Sequence, residues 1–474
     1  MIIPRAKENP RKRVRTISGV TILSVMTKPL PCPGQCVYCP GGFDKPIPTP
    51  KSYMPKSPTV LRALRKNYDS RGQIQGRIEA LDLNGHIAEK NEVIVMGGTF
   101  MASPPQYRLD FVKGIYDGLN LIESKTLEEA KKINEATKHR CVGLCIETRP
   151  DWCSPDQIQE MLGFGTTRIE LGVQIPDDEN YELTKRGHTV QDVINSTRLL
   201  KDAGFKIYYH YMCNLPGSNP EKDAQMFKEL VSNPDFRPDG FKLYPCVVIE
   251  DTELEGMMKE GKYTPYTTEQ VVDILAKIKP MVPRWARIQR VMRDLPAEYI
   301  VGGTKFSHLR DAAQEKLKRL GLKCECIRCR EAGYALLKGK KIEEKNIVLN
   351  RVDYTASGGK EIFLSFDDKE NDVVVGLLRL RIPGQTFRKE ITPTSSIVRE
   401  LHVFGVEKSL QEKGVWLDTF QHRGFGKKLM AEAERITKEE FGFDKVVVIS
   451  GVGVREYYRK LGYRLEGEYM VKMI

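Results

Sequence analysis

The segment 21–42, TILSVMTKPLPCPGQCVYCPGG, places an apolar run directly before a loop that carries three cysteines. Cys32, Cys36 and Cys39 have CxxxCxxC spacing, which brings three thiolates onto one short loop after a predicted strand. A 4Fe-4S cluster held by protein alone takes four thiolates, so three thiolates indicate a cluster with one iron left open for a small molecule. The alternative is a zinc loop whose fourth ligand lies elsewhere in the chain.

The length and composition of the chain favour a large enzyme. Its 474 residues allow about three domains of roughly 150 residues each. Hydrophobic residues make up 40%, yet no apolar run approaches the roughly 18 residues that a membrane span needs. The N-terminus MIIPRAKENPRKRVRT lacks the apolar region of a signal peptide. We therefore expect a soluble, cytoplasmic protein that does not bind membranes.

The eleven cysteines point to metal binding rather than to disulfides. Six of them form two tight clusters, one on the loop just quoted and one between residues 324 and 329. Disulfides are rare in reducing compartments, where clustered cysteines more often hold metals.

The net charge of +12 is concentrated in two regions. Residues 1–20 carry six basic residues and one acidic residue, and residues 281–330 carry twelve and five, so these regions contribute +5 and +7. Such concentration favours a polyanionic partner, because neutralised phosphates release counterions; the alternative is a solvated basic surface. The candidate nucleic-acid contacts are Arg11, Lys12, Arg13, Arg15, Arg290 and Arg293.

Between residue 18 and about residue 300, short β-rich runs alternate with longer amphipathic stretches. The predicted strands are 21–26, 92–96, 142–147, 168–174, 206–212 and 240–245. Strands separated by helices predict a parallel sheet. Six such units predict an α/β domain with the fold of a partial (β/α)6 barrel.

Chemistry in such barrels gathers at the carboxyl ends of the strands. Gly97 and Gly98 follow one predicted strand and would let the backbone approach a ligand closely, although a plain tight turn explains them too. Arg149, Gln174 and Lys242 lie at the ends of three others. Buried amides and charges are costly without partners, so each needs a neighbouring side chain or a ligand.

Residues 306–345 read as a basic, cysteine-rich linker. The sequence CECIRC offers three soft ligands, Cys324, Cys326 and Cys329. A structural zinc ion in a closed four-ligand site would order such a short segment. His308 is the nearest upstream candidate for the fourth ligand, and Cys246 is a distant one.

After about residue 346 a second α/β domain begins. Residues 362–368 and 373–382 are predicted to form a strand pair, and 396–405 a third strand. The turn QHRGFG then enters an amphipathic helix, where free backbone N–H groups could bind a pyrophosphate. Its candidate ligand-binding residues are Gln421, Arg423, Gly424, Phe425 and Gly426.

The order that follows, a strand at 445–451, a helix at 454–462 and a closing strand, resembles the GCN5-related acetyltransferase (GNAT) domain, which binds acetyl-coenzyme A (acetyl-CoA). The resemblance implies a tyrosine near the coenzyme sulfur, either Tyr457 or Tyr458, although a tyrosine pair is also ordinary packing. A working lysine acetyltransferase would also need a carboxylate general base. Glu400 is the obvious candidate.

Taken whole, the chain resembles the family of the catalytic subunit of Elongator, in a stand-alone prokaryotic form. The resemblance rests on PCPGQCVYCPGG, preceded by RTISGVTILSVMTKP, and on FQHRGFGKKLM and YYRKLGY after a cysteine-rich linker. It implies a radical S-adenosylmethionine (SAM) domain at 18–305, the linker at 306–345 and a GNAT domain at 346–474, behind a basic segment at 1–17. Many family members carry a longer basic extension before RTxSGV.

The resemblance also implies an activity, the first carboxymethylation step on C5 of a tRNA wobble uridine, with acetyl-CoA as the carbon donor. The cysteine loop would hold the 4Fe-4S cluster and SAM, and the basic residues would bind the anticodon stem-loop. Lys242, Tyr457 and Tyr458 are the expected catalytic residues, and no other Elongator-like subunit is implied. The alternatives are a protein lysine acetyltransferase with a merely structural Fe-S domain and a non-catalytic tRNA-binding scaffold.

Overall fold

The computed structural model describes residues 16–405 and 424–474. Six candidate residues, Arg11, Lys12, Arg13, Arg15, Gln421 and Arg423, lie outside these ranges. Within the two ranges, no helix combines the length and the apolar character that crossing a membrane requires.

The first sheet is parallel and has seven strands in the order β1-β2-β3-β4-β5-β6-β8. All six predicted strands are present. The seventh strand, β8, was not predicted, and its sequence RIQRV places two arginines beside the buried Ile288 and Val291. The sheet stays open, with β1 and β8 as its edges. The strands of this half of the chain are β1 Thr21–Met26, β2 Lys90–Met96, β3 Arg140–Thr148, β4 Thr166–Gln174, β5 Lys206–Tyr211, β6 Gly240–Leu243, β7 Val248–Ile249, β8 Arg287–Val291 and β9 Ile300–Gly302.

Helices cover the outer face of this sheet, as expected for a β/α barrel. One of these helices begins at Pro58, and the Ser57 hydroxyl just before it accepts a hydrogen bond from Met54 N rather than capping the helix. The helices are α1 Pro58–Leu64, α2 Ser70–Leu83, α3 Pro105–Asn120, α4 Leu127–Asn134, α5 Pro155–Gly163, α6 Asp178–Leu183, α7 Val190–Asp202, α8 Pro220–Ser232, α9 Glu253–Lys259, α10 Thr268–Ile278, α11 Leu309–Arg319, α12 Ile327–Arg330 and α13 Ala332–Leu337.

The second sheet lies in the C-terminal domain and has the order β10-β11-β12-β13-β14-β16-β15. The predicted strand pair is present as β11 and β12, which run antiparallel, whereas β10 was not predicted. Strands β13 and β14 pair in parallel only from Ser395 to Val398. Beyond Val398, β13 continues to Val403 paired with β12, and a cleft opens on its β14 side. The elements are β10 Ile347–Ala356, β11 Gly359–Asp368, β12 Val373–Ile382, β13 Ser395–Val403, α14 Phe425–Arg435, β14 Lys445–Val448, α15 Arg455–Arg459, β15 Arg464–Glu466 and β16 Tyr469–Met473.

The C-terminal sheet lies against the amino ends of the barrel strands. Gly451 packs directly against the start of β3, where a side chain would collide with the carbonyl of Val142. At the start of β5, Lys206 pairs with Glu400 of β13 at 2.8 Å. The carboxyl ends of the barrel strands, with the cysteine loop, therefore face away from the C-terminal domain.

Buried ion pairs join the two domains. Both terminal nitrogens of Arg399 donate to Asp239 at 2.7 Å, and Arg399 also donates to Glu361 at 2.7 Å. Nearby, Arg381 donates to Asp202 at 2.7 Å. These side chains are almost fully buried. Because removing one partner leaves an uncompensated buried charge, they hold the two domains in one fixed arrangement.

We predict that Asp239→Asn lowers the free energy of unfolding by about 3–5 kcal/mol. Asp239 is 0% exposed and faces both Arg399 and Arg379, so the variant leaves guanidinium charge without its counterion. Denaturant unfolding measures the effect. Glu253→Gln is the control, because Glu253 pairs with Lys185 where both side chains are 50% exposed, and it should change stability by less than about 1 kcal/mol.

The same variant should alter the response to acid. Burial alone would raise the pKa of Asp239, but Arg399, Lys201 and Arg379 together hold it well below the ordinary value. Its stabilisation is therefore complete above about pH 4, the unfolded-state pKa of an aspartate, and is lost as the pH falls further. Asp239→Asn should lose less stability than the wild type between pH 4 and pH 2, and an equal loss would contradict the account.

Candidate active site

The cysteine loop lies at the carboxyl end of β1 and forms one wall of a chamber, which we call the upper chamber. Its wall includes Cys32, Cys36 and Cys39 together with residues from the ends of the neighbouring strands. Arg186 donates from Nη1 to the Sγ of Cys36 at 3.2 Å. Arg186 was not among the predicted site residues, because its local sequence TKRGHT contains no motif that indicates a contact with the cysteine loop.

The spread of the three thiols distinguishes a cluster from a single metal ion. Zn–S bonds of about 2.3 Å in tetrahedral geometry hold sulfurs about 3.8 Å apart. Among the described residues, the sets of potential ligand atoms within 4.8 Å of one another do not include Cys32, Cys36 and Cys39. Three soft donors spaced more widely than one ion requires fit an iron-sulfur cluster better than the zinc loop.

Several buried polar atoms in the upper chamber have no hydrogen-bond partner among residues 16–405 and 424–474. They include Nη1 of Arg149, Oε1 of Gln174 and Oγ1 of Thr148, and all three residues line the chamber. Buried polar groups without partners are rare in folded proteins. Their convergence on one cavity fits a polar ligand such as SAM, as predicted for Arg149 and Gln174.

The two strand-end glycines have different roles. Gly98 lines the upper chamber, with a backbone φ of +93°. Gly97, at φ +131°, packs against Thr27, where a side chain would collide with the threonine hydroxyl. The structure thus supports a ligand-facing backbone for Gly98 and a tight turn for Gly97.

Lys242 lies behind the chamber wall between two carboxylates. Its ammonium is 2.9 Å from Glu147 and also contacts Glu170, which accepts a hydrogen bond from His210 at 2.9 Å. Burial disfavours the charged lysine, but Glu147 and Glu170 outweigh it and hold the pKa of Lys242 well above its usual value. In this arrangement Lys242 holds the two carboxylates by ion pairs, and its catalytic role stays a prediction.

The predicted arginines Arg290 and Arg293 both line the mouth of the upper chamber. Arg293 donates to the carbonyl of Ser52, and Arg290 pairs with Asp294. Both arginines were predicted to lie near the barrel mouth, and in the structure they line the same cavity as the three cysteines.

A second cavity, which we call the lower cleft, lies between the splayed strands β13 and β14 and has a volume of about 520 Å³. Gly424 and Gly426 line it at the start of α14, and Gly424 has a φ of +86°. Free N–H groups at a helix start suit a pyrophosphate, as predicted for this turn. The opposite wall is the floor of the barrel, including Glu92 and Arg168.

The two candidate tyrosines, Tyr457 and Tyr458, differ in their surroundings. Both line the lower cleft. The Tyr457 hydroxyl is buried and has no hydrogen-bond partner in the described part of the chain, and an ideal Cβ at Gly426 would lie 2.8 Å from it. Tyr458 packs in the hydrophobic core of the C-terminal domain. Burial raises the pKa of Tyr457 to about 12, so its phenol stays protonated at neutral pH.

Glu400 also faces the lower cleft but is held in ion pairs. It accepts from Lys206 and from Arg379, both at 2.8 Å. Burial would raise its pKa, but these two cations hold it well below the ordinary value. Glu400 is therefore a poor general base, and the predicted amine-activating role finds no support.

On β4, one ion pair joins the wall of the lower cleft to the wall of the upper chamber. Arg168 lines the cleft, and Glu170 lines the chamber. They lie two residues apart on β4, about 7 Å along the strand, and their charged groups are 3.1 Å apart. Barrel interiors are usually filled by branched apolar residues, so this charged partition marks the interior as functional.

The second cysteine cluster lies between the domains. The thiols of Cys324, Cys326 and Cys329 are within 4.8 Å of one another, close enough for one metal ion. His308 is not in this group: its imidazole is 74% exposed and lies 3.9 Å from Asp311. The segment also packs into the main hydrophobic core, so its order does not depend on a metal alone.

Comparisons with known proteins agree with the two-part architecture. The Radical SAM superfamily model matches residues 31–230, and the Radical_SAM C-terminal domain matches residues 238–319. The Acetyltransferase (GNAT) family matches residues 334–463.

Whole-length relatives match as well. A tRNA uridine(34) acetyltransferase from Methanocaldococcus infernus is 50% identical over 100% of this chain and 88% of its own length. Human Elongator complex protein 3 is 44% identical over 100% of this chain and 87% of its own length. The solved structure of the archaeal M. infernus Elp3 with an N-terminus deletion has 48% identity and a TM-score of 0.86, and the match covers 97% of this chain and 100% of that one. The chain belongs to the family of tRNA uridine(34) acetyltransferases and Elongator complex protein 3, which combines a radical SAM domain with a GNAT acetyltransferase domain.

Proposed function

We propose that this enzyme carries out the first step of C5 carboxymethylation of a tRNA wobble uridine, with acetyl-CoA as the carbon donor. The observation that carries the proposal is the pair of cavities, one at each end of the barrel, whose walls are joined by the Arg168–Glu170 ion pair. Such an arrangement serves a reaction that combines a radical generator with an acetyl donor.

When bound, the cluster and SAM supply a 5′-deoxyadenosyl radical, and the net reaction is redox-neutral. One hydrogen leaves the acetyl methyl group and one leaves C5 of the uridine as the new C–C bond forms. Both are accounted for when SAM splits into methionine, 5′-deoxyadenosine and a proton. Water then hydrolyses the thioester to a carboxylate and free coenzyme A.

The residues of the upper chamber would bind and orient SAM. Cys32, Cys36 and Cys39 would hold the cluster, and the buried amide of Gln174 and guanidinium of Arg149 would meet the polar groups of SAM. Lys242 would hold the carboxylates of Glu147 and Glu170 in place through its ion pairs with both.

The lower cleft would bind acetyl-CoA with its thioester directed at the barrel floor. The turn at Gly424 and Gly426 would bind the pyrophosphate, and Tyr457 would protonate the departing thiolate. The alternative, a protein lysine acetyltransferase, needs a base for the amine, and the ion-paired Glu400 serves that role poorly.

The other partners follow from charge and ligand chemistry. Basic residues at the chamber mouth, Arg290 and Arg293, would contact the anticodon stem-loop of a tRNA. The thiols of Cys324, Cys326 and Cys329 suit a structural zinc ion, whose fourth ligand His308 does not supply in this arrangement.

We predict that Cys36→Ser abolishes both 5′-deoxyadenosine formation and uridine modification in anaerobically reconstituted enzyme, because the cluster loses a thiolate. Mass spectrometry of the nucleosides measures both products. Cys141→Ala is the control, since Cys141 is buried in the barrel core and not in the chamber wall, and it should retain both. Normal modification by Cys36→Ser, or efficient protein acetylation without tRNA, would contradict the proposal.

We predict that Tyr457→Phe slows tRNA-dependent release of coenzyme A by roughly 100-fold, the usual loss when a general acid is removed. Tyr458→Phe should slow it by less than about 3-fold, because the Tyr458 ring packs in the core. Coenzyme binding should stay unchanged in both variants. Equal rates for the two variants would contradict the role given to Tyr457.

A further inference from the structure

Two tyrosines and an arginine form the part of the upper chamber wall that the cluster and SAM do not explain. Tyr53, Tyr244 and Arg293 all line this cavity. The guanidinium carbon of Arg293 lies 5.7 Å from the ring centre of Tyr53 and 5.9 Å from that of Tyr244. We call these three residues the aromatic platform.

The residues just before Tyr53 and Arg293 have left-handed backbone conformations. Ser52, just before Tyr53, has a φ of +75°, and Met292, just before Arg293, has a φ of +68°. Arg293 then donates a hydrogen bond to the carbonyl of Ser52. Left-handed backbone at residues other than glycine costs about 1–3 kcal/mol and clusters at functional sites. This strain therefore accompanies the orientation of the Tyr53 and Arg293 side chains toward the chamber.

The chemistry of the platform matches a planar base on an anionic chain. Unstacked bases of RNA loops bind on tyrosine rings and arginine planes. Burial raises the pKa of both Tyr53 and Tyr244, so the rings stay neutral beside phosphates. The mouth also carries Lys51 and Arg290, which add positive charge around the opening.

We propose that Tyr53, Tyr244 and Arg293 stack the flipped wobble base, so that C5 of its ring points toward the cluster side of the upper chamber. The proposal rests on the function proposed above and names the residues that position its substrate. Enzymes that act on one base take it out of the stack into such a pocket. Tyr244 follows β6 and Arg293 follows β8, whereas Tyr53 lies on the segment after the cysteine loop, where the Ser52 hydroxyl is 3.6 Å from the Sγ of Cys39.

Photocrosslinking tests the proposal without SAM, acetyl-CoA or turnover. The probe is an anticodon stem-loop RNA with 5-iodouridine at the wobble position, which crosslinks to aromatic side chains beside C5. We expect mass spectrometry to map the crosslink to Tyr53 or Tyr244. The double variant Tyr53→Leu/Tyr244→Leu should lose it at saturating protein, and Tyr53→Phe/Tyr244→Phe should keep it.

Affinity gives a second measurement on variants that leave the rings intact. A stacking contact contributes about 1–3 kcal/mol per base, so Arg293→Gln should weaken binding of a 5′-labelled stem-loop by roughly 5- to 150-fold. Arg464→Gln, on an arginine that is 75% exposed on the C-terminal domain, is the matched control and should bind normally.

The outcomes separate the two proposals. A crosslink that maps to the C-terminal domain, or that survives in the double leucine variant, would overturn the aromatic platform while uridine modification stands. Failure of the unmodified protein to bind the stem-loop at low salt would overturn the proposed function as well.

Discussion

The structure depends on the buried ion pairs between the floor of the barrel and the C-terminal sheet. Asp239 and Glu361 share the guanidinium of Arg399 at 2.7 Å, and Arg381 reaches across to Asp202. Such pairs contribute less to net stability than well-packed apolar groups would. Their directional hydrogen bonds instead fix how the two domains face each other.

That fixed contact makes the barrel floor one wall of the lower cleft. In this arrangement the lower cleft opens toward Glu92 and Arg168 of the barrel, so a thioester bound as proposed would face the barrel interior. The interior of the barrel is charged at this level, because the Arg168–Glu170 pair lies where apolar side chains fill an ordinary barrel.

Local patterns in the sequence predicted much of the fold and both cavities. The six barrel strands and the turn at Gly424 follow from apolar runs and glycine chemistry. Strand β8 was missed because its arginines obscure the alternation, and β10 because it is an edge strand with many exposed residues. Contacts between distant segments, such as Arg186 with Cys36 and Arg399 with Asp239, have no local signature.

We infer that one molecule couples radical generation in the upper chamber to an acetyl group supplied from the lower cleft. The most direct test uses acetyl-CoA with a fully deuterated methyl group, together with SAM and tRNA under anaerobic conditions. The account predicts one deuterium in the 5′-deoxyadenosine formed with each modified uridine. Modified uridine accompanied by 5′-deoxyadenosine that carries no deuterium would contradict it.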